Sequence, residues 1–363
     1  LILLVAKIGY NTDMDIIFSE VKDMIDNQAA TAIPVLTAQD IAGMIDHTLV
    51  SPEAPLEQIR QACETARQWK TASVYVRPSD VSMASEILKN SSTIVATVAG
   101  FPHGTTSTAG KLAEIRQAAQ DGCKRIDMSI NTGRLLSGDI SYIRAEIASC
   151  TQQAHMLGMK IVIIFENQNL TPRQIIETCH ICQETGVDFI NTSSGFTVSG
   201  AKAEDVRLMR RNCLRPIGVK ASGGIRDLDR ALEMIASGAT LIGTSTTIKI
   251  VEEARSLEKE GLLAGLWENS YNRIKRISVD NSREIGGDPG VKHETYYCPL
   301  LSKDILDELC MNITYATEGR LSREHVTEVT NWSAAERICA DCVNAYWNKN
   351  DMPAPKLNEE KPE

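Results

Sequence analysis

The sequence predicts an α/β protein, a (β/α)8 TIM barrel with an additional, mostly helical C-terminal extension. Three observations predict it. β-Rich runs recur at roughly thirty-residue intervals from Ile45 onward. Amphipathic stretches with apolar residues at helical spacing fill the intervals. Gly122, Gly158, Gly186 and Gly238 each stand where a helix must end just before the next strand, a place for a left-handed cap. The runs number eight, which favours a closed barrel over an open sheet.

In chain order, IDHTLV from Ile45 is the first strand, and LEQIRQACETARQW from Leu56 is the helix that follows it. ASVYV from Ala72 is the second strand; TIVATVAGF from Thr93 is the third, followed by the helical KLAEIRQAAQDG from Lys111. RIDMSIN from Arg125 and KIVIIFEN from Lys160 are the fourth and fifth, and RQIIETCHICQETG after them is helical. DFINTSSG from Asp188 and IGVKASGG from Ile217 form a pair that runs from apolar residues into glycine-bearing turns. DLDRALEMIASGA from Asp227 leads to the eighth strand, LIGTST from Leu241.

These elements divide the chain into an N-terminal segment, 1–35, a barrel, 36–254, and an extension, 255–363. One barrel of about 250 residues with appended segments accounts for the 363-residue length. In the extension, helices are expected at EEARSLEKEGLLAGLWENSYNRIKRI, at SKDILDELC and at SREHVTEVTNWSAAERICADCVNAYW, with Ser302 and Ser322 as N-caps. SVDNSREIGGDPGVKHE reads as loop and MPAPKLNEEKPE as a disordered tail. Met14 opens the amphipathic MDIIFSEVKDMID, and no function is expected of the residues before it.

Composition excludes several function classes. A hydrophobic fraction of 43% and a charged fraction of 23% are ordinary globular values. The net charge of −9 and an aromatic content of 5% argue against nucleic acid and anionic membranes as partners. The apolar run Leu1 to Ala6 is too short for a membrane span or a signal-peptide core, so a cytoplasmic protein is expected. Ten scattered cysteines then read as reduced thiols. Cys339 and Cys342, with Cys298 and Cys310, could make a four-thiolate zinc site, but no metal or other cofactor is expected. Cys179 and Cys182 lie in a helical pattern and are expected to pack toward the core.

In a (β/α)8 barrel the reactive face is at the carboxyl ends of the strands. The residues there are strongly polar: Asp46, His47, Thr48, Tyr75, His103, Asp127, Asn131, Glu166, the stretch from Asn191 through Ser194 to Gly195, Lys220 to Gly224, and Gly243 to Thr246. Such a set needs partners and points to a ligand site. VKASGGIR and LIGTST pair strand ends with glycines and small hydroxyls, an arrangement whose backbone N–H groups hold a phosphate. Their glycines could also serve only tight turns, with Ser245 as a helix cap.

At these motifs the chain resembles deoxyribose-phosphate aldolase, a class I aldolase family with a (β/α)8 fold. The likeness runs from Leu36 to about Ile250 and is carried in order by IDHTLV, ASVYVRP, TVAGFPHG, IDMSIN, NTSSGF, GAKAEDV, VKASGGIR and IGTST. The resemblance implies a small phosphorylated carbonyl substrate, a homo-oligomer such as a dimer, and a strand-six lysine that forms a Schiff base. It also implies a strand-seven lysine that tunes it, and a strand-four aspartate that moves protons. Lys220 and Asp127 match the last two. Asp46, Thr48, Ser194, Gly195, Gly223, Gly224, Gly243, Thr244 and Ser245 fall at the substrate and phosphate positions.

Two positions depart from the family pattern. KTSTG is here NTSSG, so Asn191 replaces the nucleophile, and Tyr75 stands where a smaller residue, often cysteine, is usual. An amide nitrogen cannot condense with a carbonyl. Lys220 could serve instead as nucleophile, or, held charged by Asp127, as an electrostatic clamp on a carbonyl or enolate oxygen with Asp127 as base and Asn191 as neutral donor. Glu166 could be acid or base, or could hold Lys220; Lys220 and Asp127 could also be a structural ion pair. His47 and His103 read as structural. The expected function is an aldolase-like lyase with modified, non-Schiff-base chemistry; the alternative is an inactive paralogue that binds a phosphate ligand or a partner.

Overall fold

The computed structural model describes Ile33, residues 35–213, 216–283, 295–298 and 303–306, and Ala335. Eight parallel strands close into a barrel in sequence order: β1 (Ile45–Leu49), β2 (Ser73–Val76), β3 (Ile94–Ala99), β4 (Arg125–Ser129), β5 (Lys160–Ile164), β6 (Phe189–Asn191), β7 (Gly218–Ser222) and β8 (Leu241–Thr244). β1 pairs with β8 through Asp46↔Gly243 and completes the ring. Every strand falls inside a predicted run, and Asp46, Tyr75, Asp127, Asn191 and Lys220 lie on the strands themselves. Because side chains alternate along a strand, one set faces the surrounding helices and the other fills the barrel.

The sequence also sets where the helices begin and end. Thr37 and Asp40 form a capping box on the helix Ala38–Gly43 that leads into β1. Thr171 and Gln174 do the same for Pro172–Thr185, with Pro172 in the first turn. Gly122, Gly158, Gly186 and Gly238 all adopt positive φ, as expected from their positions. At Gly238 a side chain would also strike Arg210, 2.6 Å from its Cγ. The helices turn their apolar faces onto one continuous core that includes Ile41, Ile59, Ile115, Ile147, Ile175 and Leu232. Cys179 and Cys182 are buried in that core as free thiols, as the helical pattern predicts.

After β8 the helices Thr247–Lys259 and Leu263–Arg283 follow, separated at Gly261, whose φ of 72° breaks the run. The chain from Arg276 onward is a compact unit of its own. Two expectations for this region are corrected. The loop expected from Ser278 is helical as far as Arg283. Within SKDILDELC, where a helix is expected, Lys303–Leu306 is a strand, β10, antiparallel to β9 (Thr295–Cys298) with Ile305↔Tyr296 and Asp304↔Tyr297 in register, and Ser302 and 307–310 lie outside the described residues. A short apolar segment fits either period, and pairing with the aromatic, β-favouring TYYC decides it. Cys310, Cys339, Cys342, the segment from Ser322 apart from Ala335, and the tail lie outside the described residues, as does the Cys298 side chain. None of the described helices is long and apolar enough to cross a membrane.

Candidate active site

Alternation along the strands places Asp46, Ser73, Tyr75, Arg125, Asp127, Asn191 and Lys220 together inside the barrel. All seven are at least 95% buried. Lys220 is the hub. Its Nζ donates to Asp127 Oδ2 at 2.9 Å and lies 2.9 Å from Asp46 Oδ2 in an ion pair. The contact with Asp46 is not aligned as a hydrogen bond. The same ammonium sits 3.5 Å from the centroid of the Tyr75 ring, within cation–π range. A buried cation is tolerated only with such company.

Asn191 and Lys220 are register partners on adjacent strands, so their side chains start from neighbouring points on the wall. Asn191 Nδ2 donates to Asp127 Oδ2 at 3.3 Å, and its Oδ1 accepts from the Ser193 N–H at 3.4 Å. These two contacts fix the amide's orientation. Asp127 thus gathers Lys220 and Asn191 on one oxygen, while its Oδ1 accepts a short hydrogen bond from the Tyr75 hydroxyl.

Sequence reasoning missed the other half of the cluster. Arg125 donates from Nη2 to Asp46 and to Ser73 Oγ at 2.8 Å, and from Nε to the Tyr75 hydroxyl at 3.1 Å. Ser73 Oγ donates to Asp46 Oδ1 at 2.6 Å. The signal was present: Arg125 is two residues before Asp127 and Ser73 two before Tyr75, and period-two alternation turns each pair to one face. Two cations and two carboxylates therefore balance inside the barrel. Burial pushes the Asp46 carboxyl up, but the charges of Arg125 and Lys220 and the Ser73 hydroxyl outweigh it and hold the pKa below the usual carboxylate range. Burial raises the Tyr75 phenol well above its ordinary value; Arg125 opposes this, and Asp127 and Asp46 add to it.

The expected substrate and phosphate residues are sorted by the same geometry. Asp46 does not stand free at the mouth but belongs to the charged core, because it is the carboxylate that Arg125 and Lys220 share as ion-pair partners. Thr48 turns its hydroxyl back to the Asp46 carbonyl at 3.0 Å. Glu166, in the left-handed region at φ 59°, accepts from Ser194 N–H at 3.1 Å and from the Thr197 hydroxyl at 2.8 Å. It therefore shapes the loop after β6, and it is Asp127 and Asp46 that hold Lys220.

Gly195, Gly223 and Gly224 all take positive φ in the loops after β6 and β7. Those loops interlock, since Ala201 N–H donates to the Gly223 carbonyl at 3.1 Å and a side chain at Gly200 would stand 2.1 Å from that oxygen. Thr244 donates its hydroxyl to the Ile225 carbonyl at 2.7 Å and accepts from Thr246 N–H, so that hydroxyl serves the loop. Ser245 is exposed and is not the helix cap; the cap of Thr247–Lys259 is Thr246, which makes no side-chain capping bond. The first-turn N–H groups of that helix remain available to an anion. At Gly243 a side chain would stand 3.3 Å from Lys220 Cε and 2.3 Å from Ser222 Oγ, so a glycine leaves the lysine its path.

His47 is 8% exposed, and its Nδ1 is 2.8 Å from the Thr247 hydroxyl. Burial lowers its pKa from 6.5 to about 4. A folded value below the unfolded one means that stability is full above pH 6.5 and falls as pH drops toward 4. The loss amounts to roughly 3 kcal/mol for this group by pH 4. Denaturant unfolding of His47→Gln is expected to show a pH slope one proton shallower than the parent between pH 6.5 and 4. His103, on the loop after β3, is exposed.

Residues 35–266 match the model of the DeoC/LacD family aldolase. The chain is 44% identical over 225 residues to a deoxyribose-phosphate aldolase of Thermococcus gammatolerans, covering 61% of this chain and all of that one. It is 45% identical over 219 residues to another from Caldicellulosiruptor saccharolyticus, covering 60% of this chain and all of the relative. Among solved structures, a candidate deoxyribose-phosphate aldolase from Coccidioides immitis superimposes with a TM-score of 0.59 at 33% identity, covering 68% of this chain and 98% of its own.

Proposed function

The chain belongs to the DeoC/LacD aldolase family, and on that premise we propose that it is a carbon–carbon lyase acting on a small phosphorylated aldehyde or sugar without an imine intermediate. The observation that carries this reading is the setting of Lys220: paired with Asp127 and Asp46 at 2.9 Å each and covered by the Tyr75 ring. An ammonium so engaged has no lone pair to offer a carbonyl carbon, and the Asn191 amide has none that is basic. What the pair can supply is positive charge and N–H donors in a dry interior, where they act strongly on a developing oxyanion.

In the cleavage direction Asp127 takes the proton of the substrate's β-hydroxyl, and the O–H electron pair forms a new carbonyl as the carbon–carbon bond breaks. The bonding pair passes to the other carbonyl as an enolate, whose oxygen is held by Lys220 and by the second N–H of Asn191. Protonation at the enolate carbon by Asp127 releases the second carbonyl product and restores the site. The phosphate rests on the loops of Gly195, Gly223 and Gly224 and on the first turn after Thr246. Among the described residues, six buried free cysteines support a reducing, cytoplasmic setting, with self-association to a dimer as the assembly.

A second reading, a phosphate-binding paralogue without activity, is favoured by one observation: Lys220, Asp127 and Arg125 are each already partnered within the barrel. Release of aldehyde from 2-deoxyribose 5-phosphate and related sugar phosphates, followed through a coupled reductase, separates the two. Cleavage of at least one is expected. Binding of the panel with no turnover of any member would favour the paralogue.

A further inference from the structure

On the lyase reading above, we infer that Tyr75, aimed by Arg125, is a positioning residue: it holds the Asp127 carboxylate so that Oδ1 takes the proton of the substrate's hydroxyl. Tyr75 departs from the family pattern, and Arg125 lies outside the motifs that match it.

The strand register brings the two together. Tyr75 on β2 is the partner of Ala96 on β3, and Ala96 is the partner of Arg125 on β4, so the three side chains stand level on the interior wall. The middle one is a buried alanine. Its methyl group lets the guanidinium pass over β3 and donate from Nε to the Tyr75 oxygen at 3.1 Å. Asp46 and Ser73 Oγ anchor the same guanidinium through Nη2.

With Arg125 on its acceptor side, the phenol directs its one hydrogen at Asp127 Oδ1. The other carboxylate oxygen, Oδ2, accepts from both Lys220 and Asn191. Because a carboxylate oxygen offers about two lone pairs, Oδ2 is filled and Oδ1 keeps one beside the one that Tyr75 occupies. Contacts on both oxygens stop the carboxylate from turning about its Cβ–Cγ bond, and this fixes where the remaining lone pair points. Burial holds the Tyr75 pKa well above its ordinary value, so the phenol stays neutral and stays a donor.

Steady-state cleavage of 2-deoxyribose 5-phosphate, or of the related sugar phosphate that the parent turns over, tests this with the full chain, Tyr75→Phe and Arg125→Lys. Phenylalanine keeps the ring over Lys220 and removes only the hydroxyl. It is expected to lower kcat about thirtyfold and to leave KM within about twofold. The solvent deuterium isotope effect on kcat should rise, since proton transfer to a misplaced base becomes the slow step. Arg125→Lys keeps a cation beside Asp46 and loses the Nε donor, and a loss of about tenfold is expected, again in kcat. A merely structural role would lower the melting temperature or raise KM and leave the isotope effect where it was. Parent-like kcat in Tyr75→Phe, or a loss confined to KM, overturns the inference alone. Should Tyr75→Phe fail to fold, parent-like kcat and isotope effect in Arg125→Lys overturn it. A parent that cleaves none of the sugar phosphates overturns the lyase reading, and this inference with it.

Discussion

Lys220→Met is expected to lower carbon–carbon cleavage by about three orders of magnitude, as loss of a preorganised oxyanion donor does, and to destabilise the barrel by about 3 kcal/mol. The two effects share one cause. Methionine fills the volume of the lysine stem but leaves Asp127 and Asp46 buried with one cation, Arg125, where there were two. A buried carboxylate without its partner is costly, far more so than the ion pair was stabilising. Chemical denaturation of Lys220→Met alone and of Lys220→Met with Asp127→Asn checks this, because removing the orphaned charge should restore part of the lost stability. An unchanged midpoint in the single variant would mean that the ion pair is not formed as described.

Asn191→Lys is expected to create an imine-forming amine on β6. The new side chain would start beside Lys220, its register partner, in a site already holding Lys220 and Arg125. Burial and two neighbouring cations both favour the neutral amine, which is the nucleophilic form. Borohydride in the presence of 2-deoxyribose 5-phosphate should then reduce an adduct onto residue 191, visible as a mass increase on the peptide that follows Asp188. Thermal stability should fall, since a second amine displaces an amide that is hydrogen-bonded to Asp127. A variant that binds phosphate but traps no adduct would show that residue 191 does not face the reacting carbonyl.

Much of this was legible in the sequence, and the reasons for what was not are specific. The eight strands were readable because each is a short Val- and Ile-rich run bounded by turn residues. Asp127, Asn191 and Lys220 converge because the inward-facing side chains of a closed barrel share one interior. Arg125 and Ser73 were overlooked because they sit at the starts of their strands, away from the mouth, and reach the site only through the length or the inward face of their side chains. The sequence left Glu166 open between acid, base and a partner for Lys220, because a left-handed backbone, which the sequence does not announce at a glutamate, turns it toward Ser194 and Thr197. The extension was the hardest to read. SKDILDELC has the composition of a helix, and its part Lys303–Leu306 is a strand by pairing with an antiparallel partner.

The central claim is that bond cleavage here proceeds over an ion-paired ammonium and not through an imine. Borohydride treatment of the parent during turnover of its phosphorylated substrate, followed by peptide mass spectrometry across the whole chain, measures this directly. Full retention of activity with no reduced adduct on Lys220 or any other lysine is the predicted result. A stoichiometric adduct on Lys220 with loss of activity would contradict it.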